Sequence, residues 1–365
     1  MRQRENIGLV FGTRPEIIKL SPIIRLLERQ NRKYFLLHTG QHYFYAMDKI
    51  FFKELKLPAP KYRLTVHLNP ADGHGEHTGR MLKAVEGILR REKPSVVLVQ
   101  GDTNSVLAAS LVAAKLQGTK LGHVEAGLRS YDRQMPEETN RVVSDHVSDF
   151  LFAPTVLSKN ILIGEGISYK KIFVTGNTIV DAVRQNLEIA VRKRALLPYG
   201  IRKNSRFFLM TLHRQENVDD KKRLSLIFEG LRRIAVYFKT PIYFSAHPRT
   251  VKMIKKFRLG MPQGVFVVPP AGFLDFLRLE AAATLILTDS GGVQEEACIL
   301  KIPCVTLRTS TERPETVKAG ANVVSGYQPG PVLLGVQKMI RKTRDWKNPF
   351  GDGHAAKRIL NIIRR

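Results

Sequence analysis

The chain has 365 residues, 43% of them hydrophobic, with 59 Lys+Arg against 32 Asp+Glu and a formal net charge of +27. That length fills two domain cores. No apolar run approaches the ~18 residues of a membrane span, and none follows MRQREN as a signal peptide would require.

Short β-branched runs alternate with helical patterns from the start of the chain. Strands are predicted at Ile7–Phe11, Tyr34–His38, Val96–Gln100, Leu121–Val124, Phe150–Phe152 and Ile172–Thr175, with helices at Glu16–Gln30, Thr78–Arg91, Ser105–Gln117, Glu138–Val147 and Ile179–Arg194. After a basic stretch from Arg192 to Arg206 the pattern restarts. Its strands are Phe207–Leu212, Ile242–Ala246, Val265–Val268, Leu285–Thr288 and Cys304–Leu307, and its helices Lys221–Phe238 and Gly292–Ile299. This alternation predicts an α/β chain of two doubly wound, Rossmann-like domains, residues 1–178 and 179–365, with a cleft between them and the last helix packing back on the first domain. Two cysteines, Cys298 and Cys304, make no disulfide framework and point to a reducing cytoplasm.

The unusual residues fall immediately after predicted strands. In TDSGGVQEEA, residues 288–297, Ser290, Gly291 and Gly292 open a helix whose amides and dipole favour an anion. An ordinary turn with Ser290 as N-cap is the plainer alternative. The turn lacks the G-x-G-x-x-G and P-loop patterns, so neither NAD nor ATP is indicated. Glu295 or Glu296, in the first helical turn, is placed to accept hydrogen bonds from sugar hydroxyls. In GTRPEIIKL, residues 12–20, Arg14 stands at a helix start, where a cation calls for an anion beside it, and Lys19 follows one turn on. QGDTNS sets Asp102, HVEAGLRS sets Glu125 and PEETNR sets Glu137, Glu138 and Arg141 near strand ends of the same half, an arrangement suited to general acid/base work. His213 in TLHRQEN and His247 in SAHPR follow strands of the second half, and Arg313 in RTSTERPETVKAG is placed to clamp a phosphate. GHGEH, residues 73–77, lacks zinc spacing, and its glycines favour a mobile loop, so no metal is expected there. The charge alone would permit nucleic-acid binding, but interleaved aromatics are scarce, so no specific nucleic acid is expected.

Taken in order, GTRPEIIKL, TGQHY, GDTNS, HVEAGLRS, MPEETNR, TGNTIVDA, HRQEN, TDSGGVQEEA and RTSTERPETVKAG resemble the non-hydrolysing UDP-N-acetylglucosamine 2-epimerases, the archaeal type above all, over residues 8 to 325. The resemblance implies a glycosyltransferase-B-like fold and a homodimer. It also implies interconversion of UDP-N-acetylglucosamine and UDP-N-acetylmannosamine without nicotinamide or metal. Carried over by motif, Arg14, His213, Ser290, Gly291, Gly292 and Arg313 hold the diphosphate, Glu296 the ribose, and Phe276 lines the uracil pocket. Lys19, Asp102, Glu125, Glu137, Arg141 and His247 surround the sugar. Gln41 and His42 match the loop through which bacterial members bind an activating second substrate. Tyr43-Phe44-Tyr45 and Leu68–Glu76 do not, which argues against that activation. Two neighbouring readings stay open: a 2-epimerase of a 2,3-diacetamido UDP-sugar, and a nucleotide-sugar glycosyltransferase.

Overall fold

Ile7–Phe11 is buried at all five positions, as is Val96–Gln100. A strand buried on both faces belongs to a parallel sheet covered on both sides by helices. The computed structural model bears this out for residues 6–41, 51–64, 73–133, 135–193, 197–202 and 204–364, the residues described below. His42 to Tyr45 and residues 68–72, singled out above, lie outside them.

The chain forms two compact units, residues 1–184 with 350–365, and residues 185–349. The first holds strands β1 (Ile7–Phe11), β2 (Tyr34–His38), β3 (Tyr62–Arg63), β4 (Val96–Gln100), β5 (Lys120–Val124), β6 (Phe150–Ala153) and β7 (Ile172–Val174). They lie in the order β3-β2-β1-β4-β5-β6-β7, every pair parallel. The second holds β8 (Phe208–Thr211), β9 (Ile242–Ser245), β10 (Val265–Val268), β11 (Leu285–Thr288), β12 (Cys304–Thr306) and β13 (Asn322–Val324), in the order β10-β9-β8-β11-β12-β13, again all parallel. In both sheets the strand order reverses beside the first strand, between β1 and β4 and between β8 and β11. In open α/β sheets that is where ligands bind, beyond the carboxyl ends of the strands.

In the first unit Val10, Leu37, Val97, Val99, Val106 and Leu121 sit in one core cluster. The helix Ala355–Ile362 belongs to this unit: Asp181 accepts hydrogen bonds from the Ala355 and Ala356 amides at 3.2 Å, and Arg32 donates to the Leu360 carbonyl. In the second unit the sheet separates two clusters, one around Phe208, Phe244 and Leu287, the other around Phe207, Leu279 and Ile286.

The sequence reading differs from the structure in three places. The short strands β3 and β13 were not expected. Neither were the helices Val156–Gly164, Pro248–Phe257, Phe273–Ala282 and Pro329–Ile340. GHGEH is not a mobile loop: Gly73 is the N-cap of the helix His74–Glu92. Glu76 favours the positive end of that helix and takes a 2.7 Å ion pair from Arg80 one turn on, which offsets the glycines.

Candidate active site

The first unit gathers carboxylates and cations at the carboxyl ends of β1, β4 and β5. Gly12 follows β1 where a Cβ would lie 2.1 Å from the Ser105 hydroxyl and 2.3 Å from that of Thr39, so only glycine fits. The Gly12 amide donates to Glu16 at 3.1 Å and the Thr103 hydroxyl donates to the other Glu16 oxygen at 3.0 Å. One buried carboxylate thus ties the turn after β1 to the turn after β4. Burial pushes Glu16 up to about 7, against the pull of these hydrogen bonds.

Glu125 follows β5 with φ +73°, left-handed backbone that is costly for a residue bearing a Cβ. Its side chain is tightly held. Lys19 reaches both carboxylate oxygens, at 2.6 and 2.7 Å; Gln100 donates to one, and Asn177 donates to the other at 3.2 Å. Asp102 pairs with Arg141, whose other arm reaches Glu138 at 2.6 Å. Glu138 also accepts from the Ser130 amide and hydroxyl and the Tyr131 amide. Burial alone would raise Glu138; these donors and Arg141 hold it below its ordinary value. Glu137, its neighbour on the helix Pro136–Val147, is exposed and has no hydrogen bond or ion pair among the described residues. Arg14 is half-buried, 5.8 Å from the Phe51 ring, without a carboxylate partner among the described residues. The structure therefore joins Lys19 to Glu125 and Arg141 to Asp102, and among the described residues gives Glu137 and Arg14 no ion pair.

The second unit is organised by Asp289, fully buried after β11. It accepts from the His213 and Arg214 amides, from Asn217 at 3.1 Å, and lies 3.2 Å from the His213 ring. Burial works to raise Asp289, but His213, the Arg214 amide and Asn217 outweigh it and keep the carboxyl low. The His213 and His247 ring centroids are 6.4 Å apart. His247 caps the helix Pro248–Phe257 by accepting from the Arg249 amide at 3.2 Å. Burial, then His213 and Arg249, lower its affinity for a proton, and the accepting Nδ1 fits a neutral ring.

Ser290 does occupy the N-cap of the helix Gly291–Ile299, yet its side chain makes no capping bond. A Cβ on Gly291 or Gly292 would meet nothing closer than 3.6 Å, so packing alone does not demand glycine at either position. Glu295 is buried and paired with Arg313 at 2.7 Å. Glu296, 9% exposed, faces the fully buried Glu280 of the helix Phe273–Ala282. Phe276, one turn before Glu280, is half-buried against the second core cluster. The neighbouring Arg308 is buried and pairs with Glu216 and Glu312. Among the described residues no three His, Cys, Asp or Glu side chains gather as metal ligands, and no helix is long and apolar enough to cross a membrane.

The sequence motifs name Glu138 beside Glu137 without separating their roles, and they do not pick out Gln100, Asn177, Glu16 or Asp289 as site residues. Gln100, polar at the end of the run VVLV, and Asp289, inside the quoted turn, carried a visible signal; burial of Glu16 and Glu138 carried none.

Two units in one chain, each built on an all-parallel sheet of this topology, define a glycosyltransferase-B-like architecture. The chain belongs to the UDP-N-acetylglucosamine 2-epimerase family, whose profile matches residues 25–364. It is 53% identical to the UDP-N-acetylglucosamine 2-epimerase of Methanocaldococcus jannaschii over 98% of both chains. The crystal structure of the M. jannaschii UDP-GlcNAc 2-epimerase in complex with UDP-GlcNAc and UDP aligns with a TM-score of 0.86 at 52% identity, covering 98% of this chain and 99% of that one. The UDP-2,3-diacetamido-2,3-dideoxy-D-glucuronate 2-epimerase of Pseudomonas aeruginosa is 40% identical over 97% of this chain and 98% of its own.

Proposed function

We propose that the protein is a non-hydrolysing UDP-N-acetylglucosamine 2-epimerase, a cytoplasmic homodimer working without nicotinamide or metal. The observation that carries this reading is the strand-end cluster of Lys19, Glu125, Asp102 and Arg141, in a chain 53% identical to a named epimerase. Identity to the diacetamido-sugar enzyme is lower, at 40%, which favours the unmodified sugar.

The C2 proton of an N-acetylglucosamine unit is hardly acidic while the C1–O bond to UDP is intact. As that bond breaks, C1 becomes electron-poor and the C2 proton labile. Arg14, His213, Arg313 and the first-turn amides after Ser290 stabilise the departing diphosphate. Glu296 holds the ribose and Phe276 the uracil, while His247 orients the sugar. A carboxylate among Asp102, Glu125 and Glu137 takes the C2 proton, the C–H pair forms the C1=C2 bond, and UDP leaves with the C1–O pair. The products are 2-acetamidoglucal and UDP. A second carboxylate protonates C2 on the opposite face while a UDP oxygen adds back to C1, so the net change is inversion at C2. Two faces call for two proton carriers.

Proton NMR in D₂O with UDP-N-acetylglucosamine tests the reading. The C2 proton signal is expected to disappear as an N-acetylmannosamine anomeric signal of the UDP-sugar grows. Free N-acetylmannosamine accumulating instead would make the protein a hydrolase. No exchange would redirect attention to a diacetamido sugar or to glycosyl transfer.

A further inference from the structure

We infer that His123 is a positioning residue, held as an imidazolium that fixes the turns bearing Asp102 and Glu125. The inference rests on the epimerase reading only for the role of those two carboxylates. His123 lies in β5 and is 1% exposed. Its Nε2 is 2.8 Å from the Gly101 carbonyl oxygen and its Nδ1 is 2.7 Å from Asp145 Oδ1. A carbonyl only accepts. Asp145 is committed as an acceptor too, because its Oδ2 takes the Gly127 amide at 3.1 Å and Arg129 Nη1 at 2.7 Å. A neutral imidazole has one N–H and would turn a lone pair on one of these oxygens. Both contacts are met only when both ring nitrogens carry protons.

Charge balance agrees. Arg129 also grips Glu165, at 2.7 and 2.6 Å, so the network runs from buried His123, Asp145 and Arg129 out to Glu165, whose side chain is 27% exposed. With an imidazolium the four charges sum to zero; with a neutral ring one negative charge is left over, and the buried Asp145 loses one of its two cationic partners. Burial disfavours the imidazolium, but Asp145 outweighs it, Arg129 opposing weakly, and the balance lies toward the protonated ring. These are the groups facing His123: Asp145 from the helix Pro136–Val147, the Gly101 carbonyl at the end of β4, and Arg129 from the segment after β5.

The network ends where the proposed chemistry begins. Gly101, at φ +82°, directly precedes Asp102, and its carbonyl is the one His123 holds. Gly127, at φ +80°, lies two residues after Glu125, and its amide is held by Asp145. A Cβ at Gly127 would lie 2.4 Å from the Ser158 carbonyl, so only glycine lets this turn pack so closely on the helix Val156–Gly164.

The test begins with ¹⁵N NMR of histidine side chains in the full-length protein at pH 7.5, assigned with His123→Gln. The expected result is two protonated ring nitrogens for His123; a single-N–H pattern overturns the inference. His123→Gln, if folded, is expected to lower kcat about 100-fold, the scale of a ~1 Å misplacement of reacting groups, with KM changed less than about threefold. A folded variant with full kcat overturns the positioning role. If the variant does not fold, the unmodified enzyme decides: kcat should fall as rising pH removes the ring proton seen by NMR, and a flat kcat through that titration overturns the inference. The NMR readout stands even if the protein epimerises nothing, so failure of the functional reading remains distinguishable.

Discussion

The Lys19 ammonium sits 2.6 and 2.7 Å from the two oxygens of Glu125, a bidentate pair in which the lysine side chain is 12% exposed and the glutamate 3%. The pair holds Glu125 in left-handed backbone, φ +73°, beside Gln100 and Asn177.

Removing one partner of a buried pair leaves an uncompensated charge, a loss of about 3–5 kcal/mol. Lys19→Met is therefore expected to lower the unfolding midpoint of the first unit and to abolish detectable epimerisation. Glu125→Gln keeps the shape and an acceptor, and is expected to fold while losing roughly 10²–10⁴-fold in kcat. Urea unfolding and the D₂O exchange assay check both; full turnover in Glu125→Gln would remove Glu125 from the proton carriers.

Adjacent glutamates on the helix Pro136–Val147 separate along different lines. Glu138 is enclosed by Arg141, Ser130 and the Tyr131 amide, whereas Glu137 is exposed and unpaired among the described residues. Glu137→Gln is expected to lower kcat by at least about tenfold with an unchanged unfolding midpoint. Glu138→Gln, which weakens charge-assisted bonds from Arg141 and Ser130, is expected to cost about 1–3 kcal/mol in stability. Thermal unfolding beside initial rates checks the contrast; equal effects on both readouts would mean that the exposed carboxylate has no special part.

That contrast also marks where the sequence stops being legible. The central strands could be read directly, because burial on both faces leaves unbroken apolar runs such as Val96–Val99. The edge strands β3 and β13 are two and three residues long and only partly buried, so no run exists to read. The strand-end motifs exposed Asp102, Glu125 and the Ser290 turn because polar residues and glycines are abrupt after apolar runs. Which of Glu137 and Glu138 turns inward depends on a helix rotation of about 100° per residue, set by the chain that packs against it. Glu280, within FLDFLRLEAA, likewise looks like a surface residue until its helix is docked on the second sheet.

Glu280 is fully buried, and apart from the Glu296 carboxylate no group among the described residues bonds either of its oxygens. Burial first, and then the proximity of Glu296, raise it well above the ordinary carboxyl range, so one proton is retained between the two. A raised acid stabilises the fold least at high pH, where the unfolded chain releases the proton freely. Glu280→Gln supplies an N–H to Glu296 without a proton to retain. It is expected to raise the stability of the second unit at pH 8 by about 1–3 kcal/mol, the cost of an ill-satisfied buried polar group. Urea denaturation at pH 5 and pH 8 is the check: the gain should be larger at pH 8, and a variant less stable than the parent at both values would show Glu280 to be better satisfied than this.

Glu16 offers the same physics close to physiological pH and at the other switch point. It is 2% exposed, bridges the Gly12 amide to the Thr103 hydroxyl, and is raised by burial from 4.5 to about 7. In the unfolded chain it would be ionised from about pH 5 upward, while in the folded chain it still binds a proton up to about pH 7. The folded state therefore binds more protons across that window, and stability falls as pH rises from about 4.5 to 7, by on the order of 3 kcal/mol for this group. Glu16→Gln abolishes the titration while its amide oxygen still accepts from Gly12 and its nitrogen can donate to Thr103. The variant is expected to match the parent near pH 5 and to be more stable near pH 8, by several degrees in the first unit's transition. Calorimetric scans from pH 5 to 8 decide it. Parallel curves for parent and variant would mean that Glu16 is ionised throughout, with the Gly12 and Thr103 bonds offsetting its burial.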